Sequence, residues 1–233
     1  IVGHTAQQVS LMRDIESENI SHAYLCSGPP HIGKMTVARW FASELLCRSS
    51  DDREACVKQL KNLTHPDLLV LDQLWMEDTC DDWEIVGKTS NAPQQHRAKA
   101  KAKTDTISID DVRALQERLH ETGLGTWRCC IIRKIERMAA PAANALLKIL
   151  EEPPKGLVFI LTTEARTQLL PTIISRSRML RFGRLSKEEM HSLLPKNDDG
   201  SFIAHLSEGA PGAAIRLRDD PDALREERLI HTK

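Results

Sequence analysis

The chain has 233 residues, of which 41% are hydrophobic and 28% are charged, and its formal net charge is -1. That length allows one large domain or a large domain with a small one, and the balanced charge excludes an overall basic bias towards nucleic acid. No apolar run approaches the roughly 18 residues that cross a bilayer and no leader sequence opens the chain, so we expect a globular protein of the cytoplasm. The start at Ile1 is typical of an excerpt from a longer chain.

A strand and a helix are predicted on either side of a glycine-containing turn. The stretch AYLCSG (23–28) is short and apolar and is followed by two prolines, as expected of a buried strand. From 34 to 46 the apolar side chains recur at helical spacing, which predicts a helix with one buried face. Its apolar positions are Val37, Trp40, Phe41 and Leu45.

The turn between them, GPPHIGKM (28–35), nearly fits the phosphate-loop pattern G-x-x-x-x-G-K-[ST]. In such a loop the glycines let backbone N–H groups face phosphate oxygens, and the lysine reaches the terminal phosphates. Gly28, Gly33 and Lys34 are the candidates for these roles; the alternative is a plain strand-to-helix turn with a surface lysine. Met35 departs from the pattern, because a hydroxyl should coordinate Mg²⁺ there. Thr36 is not expected to replace it, since adjacent helix positions point about 100° apart.

Six cysteines are spaced irregularly along the chain. Without a leader sequence, this usage favours reduced thiols over a disulfide framework. Cys129 and Cys130 stand in the pattern of a core strand and are expected to be small apolar fillers.

A second strand is predicted at DLLVLD (67–72), and the residues after it, 73–106, have no sustained period. We expect them to form a long, exposed and mobile insertion. The insertion contains a basic run, namely Arg97, Lys99, Lys101 and Lys103. Such runs are more often solvated loops than phosphate contacts, and DNA binding by this run is kept as an alternative.

Strands and helices alternate again after the insertion. Ser108 and Asp111 predict a capped helix start, CCII (129–132) and LVFILTT (157–163) predict buried strands, and a helix is predicted between them at 139–150. This alternation predicts an α/β fold, a parallel sheet with helices on both faces.

The pattern changes to helices alone after Phe182. Ser186 and Glu189 form a capping-box pattern at the start of the first of these helices. We therefore predict a domain boundary at 182–185.

The segment ANALLKILEEPP (143–154) resembles the clamp-loader branch of the AAA+ proteins, and within it the delta-prime subunits of bacterial DNA polymerase III. Further motifs follow in the family's order along nearly the whole chain: IVGH, SHAYLCSGPPHIGK, THPD, ISIDDVRAL, TIISRSR and EGAPGAAIRL. The resemblance implies a RecA-like AAA+ domain at 1–182 and a small helical lid domain at 183–233. It also implies a helical collar domain beyond Lys233.

The resemblance further implies that catalytic parts have been lost. Counting back from Asn144, the Walker B acidic pair of the active subunits falls on Arg133 and Lys134. The first carboxylate of that pair holds Mg²⁺ and the second polarises the attacking water, and two cations can do neither. The family's sensor 2 arginine falls on Gly212, so with Met35 three separate parts are missing.

One catalytic part is retained. SRS (175–177) resembles the family's S-R-C motif, in which the arginine reaches into the ATP site of the neighbouring subunit. The resemblance implies that Arg176 is such an arginine finger, acting in trans. The alternative is a surface arginine in a run that also holds Arg178 and Arg181.

Zinc is a further feature of the family, whose members often bind it through cysteines spaced C-x8-C-x2-C-x2-C. Cys47 and Cys56 match the first two positions, but Gln59 and Asn62 stand at the others. Two thiolates cannot complete a tetrahedral site. We therefore expect no zinc, and a segment that is held by packing alone.

The function implied by the resemblance is that of a clamp-loader subunit that does not hydrolyse ATP within a DNA polymerase holoenzyme. Its expected partners are the ATPase subunits, a delta-type subunit and, through the complex, the sliding clamp and primed DNA, with no membrane. No cofactor is expected to be required, and residual ATP, ADP or phosphate binding at the loop stays open. Two alternatives stay open as well: a loader ATPase with divergent acidic residues, and a DNA-binding module that uses the basic insertion.

Overall fold

The computed structural model describes residues 1–48, 50–62, 64–71, 106–120 and 125–231. Its strands are β1 (Ala23–Ser27), β2 (Leu68–Leu71), β3 (Arg128–Ile132), β4 (Leu157–Thr163) and β5 (Arg178–Arg181). Its helices are α1 (Thr5–Glu16), α2 (Lys34–Leu46), α3 (Arg53–Lys61), α4 (Ile109–His120), α5 (Ala140–Glu151), α6 (Pro171–Ser175), α7 (Lys187–Leu193), α8 (Asp198–Ser207), α9 (Pro211–Asp219) and α10 (Pro221–His231). The predicted insertion, with its basic run, lies outside the described residues except for Thr106.

The five strands form one sheet in the order β2-β3-β4-β1-β5, and every neighbouring pair is parallel. The predicted parallel sheet is therefore confirmed. In the register of the sheet, Leu25 of β1 lies between Leu161 of β4 and Met179 of β5. Because all the strands run the same way, the segments that follow β1, β3 and β4 meet at one edge, where open α/β sheets bind ligands.

Helices cover both faces of the sheet, as predicted. One core cluster packs α1, α2 and α3 against the sheet, and a second packs α4, α5 and α6 against the other face. Cys129 belongs to the first cluster and Cys130 to the second, and both are fully buried. Their predicted role as small apolar fillers is confirmed.

A third core cluster is built by helices that follow β5. It consists of Leu185, Met190, Leu194, Ile203, Ala214 and Leu217. The predicted capping box opens α7: Ser186 Oγ accepts the Glu189 N–H at 3.2 Å, and a Glu189 carboxylate oxygen accepts the Ser186 N–H at 2.8 Å. A separate cluster after 184 supports the boundary at 182–185, which stays a prediction.

The expectation of reduced thiols is wrong for one pair. Cys47, directly after α2, forms a disulfide with Cys56 of α3, with 5.8 Å between the two Cα atoms. The chain turns back after α2 and brings the two positions within disulfide range, which spacing alone does not reveal. The segment is thus not held by packing alone. Among the described cysteines, Cys26, Cys129 and Cys130 are free and buried.

None of the helices in the described part of the chain combines the length and the apolar character that a membrane span requires.

Candidate functional site

The phosphate-loop motif forms the turn from β1 to α2. Gly33 has φ +96°, a conformation open to glycine, and Lys34 begins the helix. The Lys34 ammonium donates hydrogen bonds to the Gly28 carbonyl at 2.7 Å and to the Pro29 carbonyl. Lys34 is only 7% exposed, so the alternative of a surface lysine is wrong. Burial lowers the pKa of Lys34, and the charges of Glu164 and then Glu136 partly offset this effect.

A cavity of about 180 Å³ lies against this loop. It is smaller than the ~300 Å³ at which sites for drug-sized ligands begin. The structure gathers most of the candidate residues there. The lining comprises loop and helix residues 31–36, Arg133, Lys134, Thr162, Glu164 and Gly212. Gly28 does not line the cavity, and its carbonyl accepts the hydrogen bond from the Lys34 ammonium.

Arg133 and Lys134 follow β3 and lie at the wall of the cavity, at the carboxyl edge of the sheet. Lys134 has a left-handed backbone, with φ 51° and ψ 61°. Its N–H donates to Thr162 Oγ1 at 3.0 Å, and its ammonium pairs with the Glu164 carboxylate at 3.3 Å. The position at which the resemblance predicts an acid in active subunits thus holds a lysine that is paired with Glu164.

Two carboxylates, Glu136 and Glu164, lie near the loop; Glu136 was not expected to replace the acid pair, and Glu164 was missed by the sequence analysis. Glu164 lines the cavity, and a carboxylate oxygen of Glu136 accepts its backbone N–H at 2.9 Å. The position of Glu164 could have been predicted from the sequence, because it directly follows the buried strand β4 and therefore lies at the carboxyl edge of the sheet. Glu164 pairs with Lys134, whereas Glu136 joins two turns through one oxygen and its other oxygen is buried without a hydrogen-bond partner among the described residues.

Met35 brings a thioether to the cavity wall. Thioethers are soft ligands, whereas Mg²⁺ prefers oxygen. Thr36 lines the same cavity. The angle of about 100° between adjacent helix positions therefore does not prevent Met35 and Thr36 from both contributing to the cavity wall.

Gly212 lies in the first turn of α9 and contacts the phosphate loop directly. Its N–H donates to the His31 carbonyl at 2.7 Å, and a Cβ atom at this position would lie 2.8 Å from the same oxygen. The loop also contacts the N-terminal segment, because His4 Nε2 is 2.6 Å from the Ile32 carbonyl. The position expected for a sensor arginine has no room for a side chain unless the backbone moves.

Arg176 is not part of the loop cavity. It follows α6 directly, and its guanidinium donates to a Glu151 carboxylate oxygen at 2.8 Å and to the Thr172 carbonyl at 3.3 Å. The side chain is 35% exposed. A phosphate that contacts Arg176 would therefore lie outside the loop cavity of this chain.

Comparisons with known proteins indicate the family of the chain. A family model described as DNA polymerase III, delta subunit, matches residues 3–186. The delta-prime subunit of DNA polymerase III from Bacillus subtilis is 31% identical over 203 residues, which cover 84% of this chain and 52% of that protein. The delta-prime subunit from Pseudomonas aeruginosa is 31% identical over 220 residues, which cover 89% of this chain and 58% of that protein. The chain thus spans little more than half the length of these relatives.

Among solved structures, the RuvB Holliday junction branch migration motor of Thermotoga maritima has a TM-score of 0.58 at 17% identity. The match covers 94% of this chain and 61% of that one. At this identity the likeness concerns the fold alone. Together with the parallel sheet, it confirms the predicted RecA-like AAA+ fold.

Proposed function

Because the chain belongs to the delta-prime family of DNA polymerase III clamp-loader subunits, we propose that it is a loader subunit that does not hydrolyse ATP itself and supplies Arg176 to a neighbouring subunit's ATP site. The proposed partners are the ATPase subunits and a delta-type subunit of the loader. Through the complex, the subunit would act on a sliding clamp and primed DNA.

The observation that carries the loss of hydrolysis is the charge of the loop cavity. Lys34, Arg133 and Lys134 line it together with one carboxylate, Glu164, among the described residues. A divalent cation is repelled by these like charges, and the acid-pair position holds no carboxylate that could bind the metal or act as a base. Met35 removes a further ligand for the metal. Phosphate or nucleotide contact through Gly33 and Lys34 is compatible with the same geometry, and zinc is not part of the proposal.

The arginine-finger role is supported by the position of Arg176. It lies two residues before β5, which is one of the two edge strands of the described sheet. A residue at that flank can meet a neighbouring subunit, whereas its own loop cavity is lined by other residues. The guanidinium is also partly exposed, as a group that acts in trans must be.

The test is Arg176→Ala in the full-length subunit, assembled with its loader partners. Loss of an arginine finger should slow DNA-stimulated ATP hydrolysis at the facing site by about a hundredfold or more, as measured by rapid quench. Folding should be unaffected, because the exposed Arg176–Glu151 pair contributes about 0–1 kcal/mol. Arg181→Ala is the matched control, since it removes an exposed arginine of the same run. An Arg176→Ala loader with the normal hydrolysis rate would remove the finger assignment.

A further inference from the structure

We propose that Glu151 is a positioning residue for Arg176: its carboxylate holds the guanidinium in the orientation from which it reaches the neighbouring ATP site. This inference rests on the proposed role of Arg176 in trans. It concerns the side chain's orientation before the subunits dock.

The backbone that carries the carboxylate is fixed at the end of a helix. Glu151 is the last residue of α5, and Pro153 and Pro154 follow closely and prevent the helix from continuing. One of its oxygens accepts a hydrogen bond from Arg176 Nη2 at 2.8 Å. Glu151 and Arg176 are separated by 25 positions in the chain, so the contact joins two different elements.

The contacts leave most of the guanidinium free to bind a ligand. A guanidinium has five N–H donors. One is used by Glu151, and a second, from Nη1, is used by the Thr172 carbonyl at 3.3 Å. The other donors can bind phosphate oxygens without loss of either contact. Glu151 therefore orients Arg176 without occupying its binding capacity.

The backbone that carries Arg176 is fixed independently of Glu151. Ser177 Oγ donates to the Ile173 carbonyl at 2.8 Å. Arg178 bonds Ser10 Oγ at 2.7 Å and also pairs with Asp14, which is only 4% exposed. The chain on the C-terminal side of Arg176 is thus attached to α1, and Glu151 contributes the orientation of the side chain alone.

Orientation of this kind affects the rate of a reaction more than the stability of the fold. A catalytic group that is already oriented loses less freedom when the reacting geometry forms. The pair itself is exposed, with 35% of the Arg176 side chain and 50% of the Glu151 side chain accessible. Its removal should therefore leave folding and assembly intact.

The experiment compares Glu151→Ala with Glu152→Ala in the full-length subunit, reconstituted with its loader partners, clamp and primed DNA. Glu152 is the exposed neighbour at the same helix end. Glu151→Ala should lower kcat for ATP hydrolysis by about two- to fivefold and leave KM for ATP unchanged, because the finger acts in the transition state. Glu152→Ala should match the wild type, and Glu151→Gln, which keeps an acceptor oxygen, should recover part of the rate.

A double-variant cycle separates the two proposals. In the Arg176→Ala background, Glu151→Ala should have no further effect, because no finger remains to be oriented. If Arg176→Ala is slow while Glu151→Ala has normal or raised kcat, or a change confined to KM, the positioning role is overturned and the finger survives. If Arg176→Ala has normal activity, both proposals fail.

Discussion

At the scale of single residues, the cations at the carboxyl edge of the sheet set the charge that a ligand of the loop cavity would meet. Lys34 is buried, and desolvation lowers its pKa. Lys134 is neutralised by Glu164 across 3.3 Å, and Arg133 shares the cavity wall. A phosphate group is a suitable partner for such a surface, whereas Mg²⁺ is not. The proposed loss of hydrolysis therefore has a physical basis in the charge of the cavity, in addition to the mismatch with a motif.

Gly212 gives a prediction about the contact of α9 with the loop. Alanine normally stabilises a helix relative to glycine by about 0.5–1 kcal/mol. We expect Gly212→Ala instead to lower the free energy of unfolding by about 1–3 kcal/mol, since the new Cβ would lie 2.8 Å from the His31 carbonyl oxygen. Urea unfolding measures the difference.

Gly183 provides the control for that prediction. A Cβ atom there would meet no atom within 4 Å. We expect Gly183→Ala to change the free energy of unfolding by less than about 0.5 kcal/mol. Equal effects of the two substitutions would contradict the close contact between Gly212 and the phosphate loop.

At the scale of elements, local signals explain why some segments were predicted and others were not. Capping pairs marked the starts of α4 and α7, and both are formed: Ser108 with Asp111, and Ser186 with Glu189. By contrast, α3 buries only Cys56 and Leu60, and β5 is a four-residue edge strand with arginine at both ends. Neither has the apolar period by which an element is recognised.

The link between α2 and α3 gives a prediction about redox state. The Cys47–Cys56 disulfide closes a loop with a sequence separation of 9, for which loop-closure entropy indicates a stabilisation of about 2–3 kcal/mol. A reductant should lower the urea midpoint of the wild type. Cys56→Ser should unfold at a lower midpoint that does not depend on reductant; a wild-type midpoint that is insensitive to reductant would contradict the bond.

At the scale of the whole molecule, three core clusters and one parallel sheet build an AAA+ fold whose loop contacts both the N-terminal segment and α9. The carboxyl edge of the sheet carries the loop cavity, and most of the charged side chains that line the cavity are cations. The flank beside β5 carries Arg176 outside that site. The arrangement is compatible with the proposed contribution of Arg176 to a neighbour's reaction, which only the assembled loader can test.

The isolated chain gives the corresponding prediction. Its ATP turnover should equal that of the Lys34→Ala variant, because Arg133 and Lys134 stand at the proposed acid-pair position and Met35 at the proposed position of the metal-binding hydroxyl. Turnover above that control would support the alternative of a loader ATPase with divergent acidic residues. Isothermal titration with ATP and ADP, with and without Mg²⁺, would show whether nucleotide binds, and any binding should not depend on the metal.

The site could be predicted only in part from the sequence. The positions of Lys34, Met35, Arg133, Lys134 and Gly212 followed from motif order, and the structure places all five at one cavity. The neutralising Glu164 and the Glu151 contact to Arg176 were not predicted. Both contacts join residues 25 to 30 positions apart in the chain, and such pairs leave no periodic signal.

The sequence by itself determined the class of fold, the cations in place of acids and the family, because periodicity, capping and motif order are properties of neighbouring residues. Only the tertiary structure decided that Lys34 is buried, that Cys47 and Cys56 are joined, and that α9 contacts the phosphate loop. The physical reason is that burial, disulfide geometry and close backbone approach depend on how distant segments pack.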